Sequence, residues 1–132
     1  DNGGSAEARQ MDIVDSGAVR SFVSTVPPFH ILVNNAGTNR PQPFLDYKIE
    51  DADYLFILNV RAAFVMAQAV AKRMVETRTK GSLIHVSSQM AFVSGPGRSV
   101  YSATKSAVNS RRHRPAQPAG TNGSHRQRTR RS

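Results

Sequence analysis

Two short apolar runs, each ending in a polar turn and separated by one long helical pattern, constrain this chain more than anything else in it. The first is His30–Asn34, with Ile31, Leu32 and Val33 in succession; the second is Ser82–Val86, with Leu83 and Ile84. A strand with one wet face alternates apolar and polar residues, so unbroken apolar runs predict parallel strands covered on both faces. Between them, from about Ile49 to Thr77, Leu55, Phe56, Val60, Ala63, Val70 and Met74 recur at helical spacing. The pattern predicts an α/β fold.

The flanks extend the same alternation. Residues 8–13, ARQMDI, form a short strand candidate, and Asp15 or Ser16 can cap a helix from about Gly17 to Thr25. Its apolar stripe is Val19, Phe22, Val23 and Val26, and Pro27-Pro28 ends it. With the first apolar run, residues 8–34 then read as a strand–helix–strand unit with a right-handed crossover. Arg40 to Pro43 is a loop with two prolines, and Asp46 is placed to start the next helical segment. Lys80-Gly81 reads as the stop of the long helix. The Met and Phe residues of that helix are core or interface filler. His85 fits a core or edge position better than a ligand, and no metal-ligating spacing accompanies it, so no catalytic metal is expected.

The chemistry concentrates after the second run. Ser87 and Ser88 close it, a loop with Gly95, Pro96 and Gly97 follows, and a helix starting near Ser99 carries Tyr101 and Lys105 through to Val108. Residues four apart share a helix face, so phenol and ammonium stand side by side. A free phenol titrates near ~10, and a neighbouring cation favours the phenolate, which suits a general acid/base. Ser88, thirteen residues before Tyr101, is placed to hold a substrate oxygen. A tyrosine and lysine at this spacing are more often a solvated helix face, so the company they keep decides. That company is Asn34-Asn35-Ala36-Gly37 directly after the first apolar run, and Asn59 inside the long helix, where asparagine is unfavourable.

In this order the marks resemble the short-chain dehydrogenase/reductase family, near its 3-oxoacyl-carrier-protein reductase and gluconate-type dehydrogenase branch. The resemblance implies a Rossmann-type, doubly wound parallel sheet, represented by its central part. It implies hydride transfer between NAD or NADP and a small-molecule carbonyl or secondary alcohol. Tyr101 would exchange the proton at the substrate oxygen, and Lys105 would favour its phenolate and bond the nicotinamide ribose. Ser88 would hold and polarise the substrate oxygen, and Asn59 would complete the catalytic set through a proton relay. On the cofactor side the resemblance implies Asp12 at the adenine, with Ile13, Asn35, Ala36, Gly37, Tyr101 and Lys105 also binding the dinucleotide. A turn or cap aspartate is the other reading of Asp12, and Asn34 or Asn35 can instead tie neighbouring strands through its amide.

Three further expectations come from what surrounds these marks. The family's G-x-x-x-G-x-G turn is absent from the eleven residues before Asp12, so the chain reads as an incomplete member, inactive as written. Full-length members are expected as homo-oligomers, dimer or tetramer, with the helices from Ile49 and Ser99 at the interface. No Cys is present and no stretch approaches the ~20 apolar residues of a membrane span, which agrees with a cytoplasmic protein that binds no membrane.

The net charge of +9 raises a nucleic-acid-binding module as an alternative. Its distribution argues otherwise: residues 1–110 hold eleven Lys/Arg against nine Asp/Glu, while residues 111–132 hold seven Arg and no acid. Those last residues also lack Leu, Ile, Val, Phe, Met and Tyr, so they form a basic, disordered tail or a reading of the coding DNA in a shifted frame. Read from the second base of each codon, Arg126 to Thr129 permits Val-Asn-Ala, and the resembled family carries Val-Asn in the strand after the Tyr-Lys helix. A third alternative is a catalytically silent fragment that serves only as a dimerisation surface.

Overall fold

A computed structural model describes residues 3–110; the expectations for residues 111–132 lie outside the described part. Helix α1, Ser16–Thr25, leads through an extended turn to strand β1, Ile31–Asn34. Helix α2, Ile49–Phe56, passes through a π-helical turn, Ile57–Ala62, into α3, Ala63–Glu76. Strand β2, Ser82–His85, and helix α4, Ser99–Asn109, complete the order. Short 3₁₀ turns lie at Phe44–Asp46 and Gln89–Ala91. β1 and β2 pair in parallel, with Leu32 opposite Leu83 and Asn34 opposite His85. This is the α/β arrangement the apolar runs predict.

The helix boundaries have local causes. Asp15, not Ser16, caps α1, its Oδ1 accepting from the Gly17 and Ala18 amides at 2.8 and 3.0 Å. Asp46 lies in the 3₁₀ turn instead of opening α2, whose N-cap is Lys48. α3 ends before the expected Lys80-Gly81 stop. There the Thr79 amide donates to Met74 O and the Arg78 amide to Val75 O, with Arg78 left-handed at φ 55°. These two bonds close a Schellman-type turn.

Val23, Val70 and Met74 form the core between α1 and α3, with Phe22, Phe29, Leu32, Met66, Ala69 and Leu83 packed on them. Val19, Leu55 and Val70 are wholly or almost wholly buried, each worth roughly 1.5–3 kcal/mol of apolar transfer. By length and composition the 28-residue run Ile49–Glu76 is apolar enough to cross a membrane, which corrects the reading that no stretch approaches such a span. One side of it packs: Leu55, Ala62, Val65, Val70 and Met74 are buried and the run contacts α1, α4 and both strands, while Ile49, Phe56, Phe64 and Val75 stay exposed.

Two expectations for the sheet also fail. Residues 8–13 form no strand; Asp12 and Ile13 sit in an irregular stretch and turn. A strand exists through its ladder, and the sheet among the described residues has only β1 and β2, paired with each other. The strand–helix–strand unit over residues 8–34 is therefore absent, and the parallel unit is β1–α2/α3–β2. Nor are the strands covered on both faces. Leu32 and Leu83 point to the helices, while Ile31, Val33 and Ile84 are 61%, 55% and 47% exposed on the other face. Uninterrupted apolar sequence reports the covering a strand is built for, and the described helices supply it on one side.

Gly81 marks the tightest point between helix and sheet. A Cβ there would lie 2.5 Å from both His30 O and Met74 Cε, and His30 O already accepts the Ser82 amide at 2.9 Å. Since the backbone carbonyl has no room to yield, Gly81→Ala is expected to destabilise the fold by about 1–3 kcal/mol. Urea unfolding against the parent checks this, and an unchanged midpoint would contradict the packing described.

Candidate active site

Strand ends converge with the π-helical turn and α4. The turn is centred on Asn59, which is buried to 2% exposure. Its Oδ1 accepts from the Thr38 amide at 2.9 Å, and its Nδ2 donates to Thr38 O at 2.9 Å and to Thr104 Oγ1 at 3.1 Å. Thr104 passes the link on, donating to Tyr101 O at 2.7 Å. One amide thus ties the loop after β1 to the helix that carries Tyr101. A π-helical turn is costly and recurs at functional sites; here it presents the Asn59 amide to the Thr38 backbone.

Lys105 is 6% exposed, and its Nζ donates to Val86 O at 3.0 Å, just past β2. It lies 5.8 Å from the centre of the Tyr101 ring, so the expected side-by-side arrangement is present. An ammonium has three donors, and this bond uses one. A Cβ on Gly37 would stand 3.1 Å from Asn59 Oδ1 and 3.6 Å from Lys105 Nζ. The glycine at the end of Asn34-Asn35-Ala36-Gly37 therefore borders the same point as both polar groups, and any side chain would fill it.

The two serines divide their work. Ser87 Oγ donates to Lys105 O at 3.3 Å, a structural tie to α4. Ser88 Oγ accepts the Met90 amide at 3.2 Å, capping the 3₁₀ turn; accepting leaves its O–H available to donate to a ligand. Of the paired asparagines, Asn34 is the structural one: its Nδ2 donates to Ala63 O at 3.0 Å and lies 3.4 Å from His85 Nδ1. Asn35 and Ala36 are exposed beside Gly37.

Asp12 and Ile13 lie in the stretch that leads into α1. Asp12 Oδ1 accepts the Val14 amide at 3.0 Å, a turn role. The turn is held to the site's scaffold where Arg61, from the π-helical turn, donates to Val14 O at 3.3 Å.

Sequence reasoning missed Thr38 and Thr104. Thr104 lies inside the Tyr101–Lys105 spacing and is fully buried; a hydroxyl on the inward face between those two residues was its only signal. It also missed the Arg40–Asp51 ion pair. The Arg40 guanidinium, then the Gln42 amide, hold the Asp51 carboxyl below the usual carboxylate range. Tyr47 beside it is raised, by burial first and by the Asp51 charge second. A depressed carboxyl contributes stability above its ordinary titration range, and this is lost as pH falls through the lowered value.

A profile of the family described as short chain dehydrogenase matches residues 1–123. The chain belongs to the short-chain dehydrogenase family. It is 40% identical over 98 residues to carbonyl reductase [NADPH] 2 of Sus scrofa, a match covering 74% of this chain and 40% of that protein. To gluconate 5-dehydrogenase of Gluconobacter oxydans it is 36% identical over 107 residues, covering 78% and 41%. A solved gluconate 5-dehydrogenase from Burkholderia cenocepacia J2315, in complex with NADP and tartrate, superposes with a TM-score of 0.71 at 33% identity, covering 76% of this chain and 40% of that one. Such superpositions place the two-stranded sheet and its helices in the Rossmann-type fold of short-chain dehydrogenases. The chain spans about two-fifths of the length of the curated relatives it matches.

Asn59 should carry measurable stability if it is the junction described. Asn59→Leu keeps the approximate volume but strands the Thr38 N–H and C=O, so a loss on the order of 2 kcal/mol or more is expected in urea unfolding. Amide exchange at Thr38 should accelerate with it. A loss below about 0.5 kcal/mol would show that the Thr38 groups find other partners.

Proposed function

We propose that these residues form the catalytic centre of an NAD(P)-dependent oxidoreductase that interconverts a carbonyl and a secondary alcohol. The observation that carries this reading is the convergence on Gly37: Asn59 Oδ1 and Lys105 Nζ border the point its missing Cβ would occupy, and Lys105 lies beside the Tyr101 ring. The buried ammonium with two further donors suits a ribose hydroxyl, and the open backbone at Gly37 suits the close approach of a flat or sugar-like group. These residues fit a dinucleotide's nicotinamide end. The adenine end would lie towards Asp12 and Ile13, and the described residues offer no glycine-rich turn for its phosphates. The solved Burkholderia relative, in complex with NADP, supports the same cofactor class.

When bound, the nicotinamide supplies or takes up the hydride. The protein's part is the proton. Tyr101 gives it to the substrate oxygen on reduction and takes it on oxidation, with Lys105 stabilising the phenolate. Ser88 donates to the same substrate oxygen and orients it. Asn59 has both N–H donors engaged and one Oδ1 lone pair left beside Lys105, where a bridging water would link the lysine to solvent. The substrate is a small carbonyl or alcohol compound; the reductases and dehydrogenases among its relatives support that class. A homodimer or tetramer of the whole protein, with the α2/α3 and α4 faces paired, is part of this proposal.

In a chain of its relatives' full length, Tyr101→Phe is expected to lower kcat by about 10²–10⁴-fold while leaving the cofactor Kd nearly unchanged. The ring and its packing remain, and only the proton-transfer group is lost. Stopped-flow turnover with cofactor fluorescence titration reads both; near-normal turnover would remove Tyr101 from its role.

A further inference from the structure

The loop after β1 makes a second connection to the front of α4, independent of the Asn59 junction. Gln42 N donates to Gly97 O at 3.1 Å, joining residues 40–48 to the Gly95-Pro96-Gly97 turn that launches the Tyr101 helix. The join is close: Gly97 has φ +67°, and a Cβ there would lie 3.4 Å from Gln42 O and 3.5 Å from Gln42 N. A side chain would be strained on the Gly97 side and crowded on the Gln42 side.

What holds Gln42 in place is charged. Its Nε2 donates to Asp51 Oδ2 at 2.6 Å, and its Oε1 accepts the Lys48 amide at 3.1 Å. Asp51, in the first turn of α2, also binds the Arg40 guanidinium. Arg40 stacks 4.3 Å from the centre of the Tyr54 ring, and its carbonyl accepts the Tyr47 hydroxyl at 2.9 Å. Both Asp51 oxygens are engaged, one by Arg40 and the other by Gln42, and its side chain is 18% exposed. Asp51 is thus the hub of a latch running from α2 through Gln42 to Gly97.

We propose that Asp51 is a positioning residue for Tyr101: through Arg40 and Gln42 it fixes the Gly97 turn and with it the height of the Tyr101 phenol relative to Gly37 and Lys105. The proposal rests on the catalytic reading above. The latch touches neither the tyrosine nor the lysine, so its loss acts through geometry alone, and misplacement by ~1 Å can cost ~10²-fold in rate.

The test is made on these residues within a chain of the relatives' full length. Asp51→Asn keeps the shape and removes the charge that holds Arg40. It is expected to lower kcat about 10–100-fold with the cofactor Kd within about two-fold, and Asp51→Glu to restore part of the loss. Gly97→Ala should lower kcat in the same way, and the Asp51→Asn/Gly97→Ala double variant should lose little more than the worse single, because one latch is broken twice. Unchanged kcat in Asp51→Asn would overturn the proposal. So would losses that multiply independently in the double variant, or a kcat that merely tracks the fall in Tm across all variants. Tyr101→Phe in the same series separates the two readings: if it retains turnover, the catalytic assignment fails; if it alone is impaired, only the latch fails.

Discussion

The site depends on one buried carboxamide. Asn59 replaces the hydrogen bonds that a loop backbone would otherwise make with water, binding both the N–H and the C=O of Thr38. Leaving either unpaired inside the protein would cost on the order of 1–3 kcal/mol. The helix yields to this demand by widening into a π-helical turn, and Thr104 carries the constraint onward to the Tyr101 carbonyl. The position of the tyrosine is therefore set from three directions: through Thr104 to the loop after β1, through Lys105 to Val86 at the end of β2, and through the Gly97 turn to Gln42. None of these ties uses the phenol itself, which leaves it available for chemistry.

Glycine positions define where a ligand can come close. Gly37 is the sequence's contribution to space, bordered by a neutral amide oxygen and a cation. Together they present one acceptor and the remaining donors of a buried ammonium, a pairing suited to hydroxyl-rich ligands. Gly81 and Gly97 serve the scaffold, allowing the strand to approach α3 and the turn to approach Gln42.

Much of this was legible in the sequence, and the limits have physical causes. Local patterns carried the strands, the helices and the Tyr101–Lys105 face, because periodicity and spacing are properties of neighbouring residues. Asn59 stood out because a helix interior disfavours it, though its partners Thr38 and Thr104 did not. Those bonds span 21 and 45 residues, and nothing local marks a threonine as the far end of such a link. The Arg40–Asp51 latch was hidden in the same way, read from the sequence only as a proline-bearing loop. The expected strand at residues 8–13 failed for a different reason: pairing is a relation between strands, and β propensity cannot supply the neighbour. The exposed Ile31 and Val33 follow the same rule.

The claim that Gly37, Asn59 and Lys105 border the nicotinamide end of a dinucleotide is tested most directly by a crystal structure with NADP. These residues should be in a chain of the relatives' full length. The account predicts Lys105 Nζ at hydrogen-bond distance, about 2.7–3.2 Å, from a nicotinamide ribose hydroxyl, with the ribose against Gly37 and the Asn59–Thr38 bonds intact. A dinucleotide bound away from Gly37, with Lys105 bonded only to Val86 O, would contradict it.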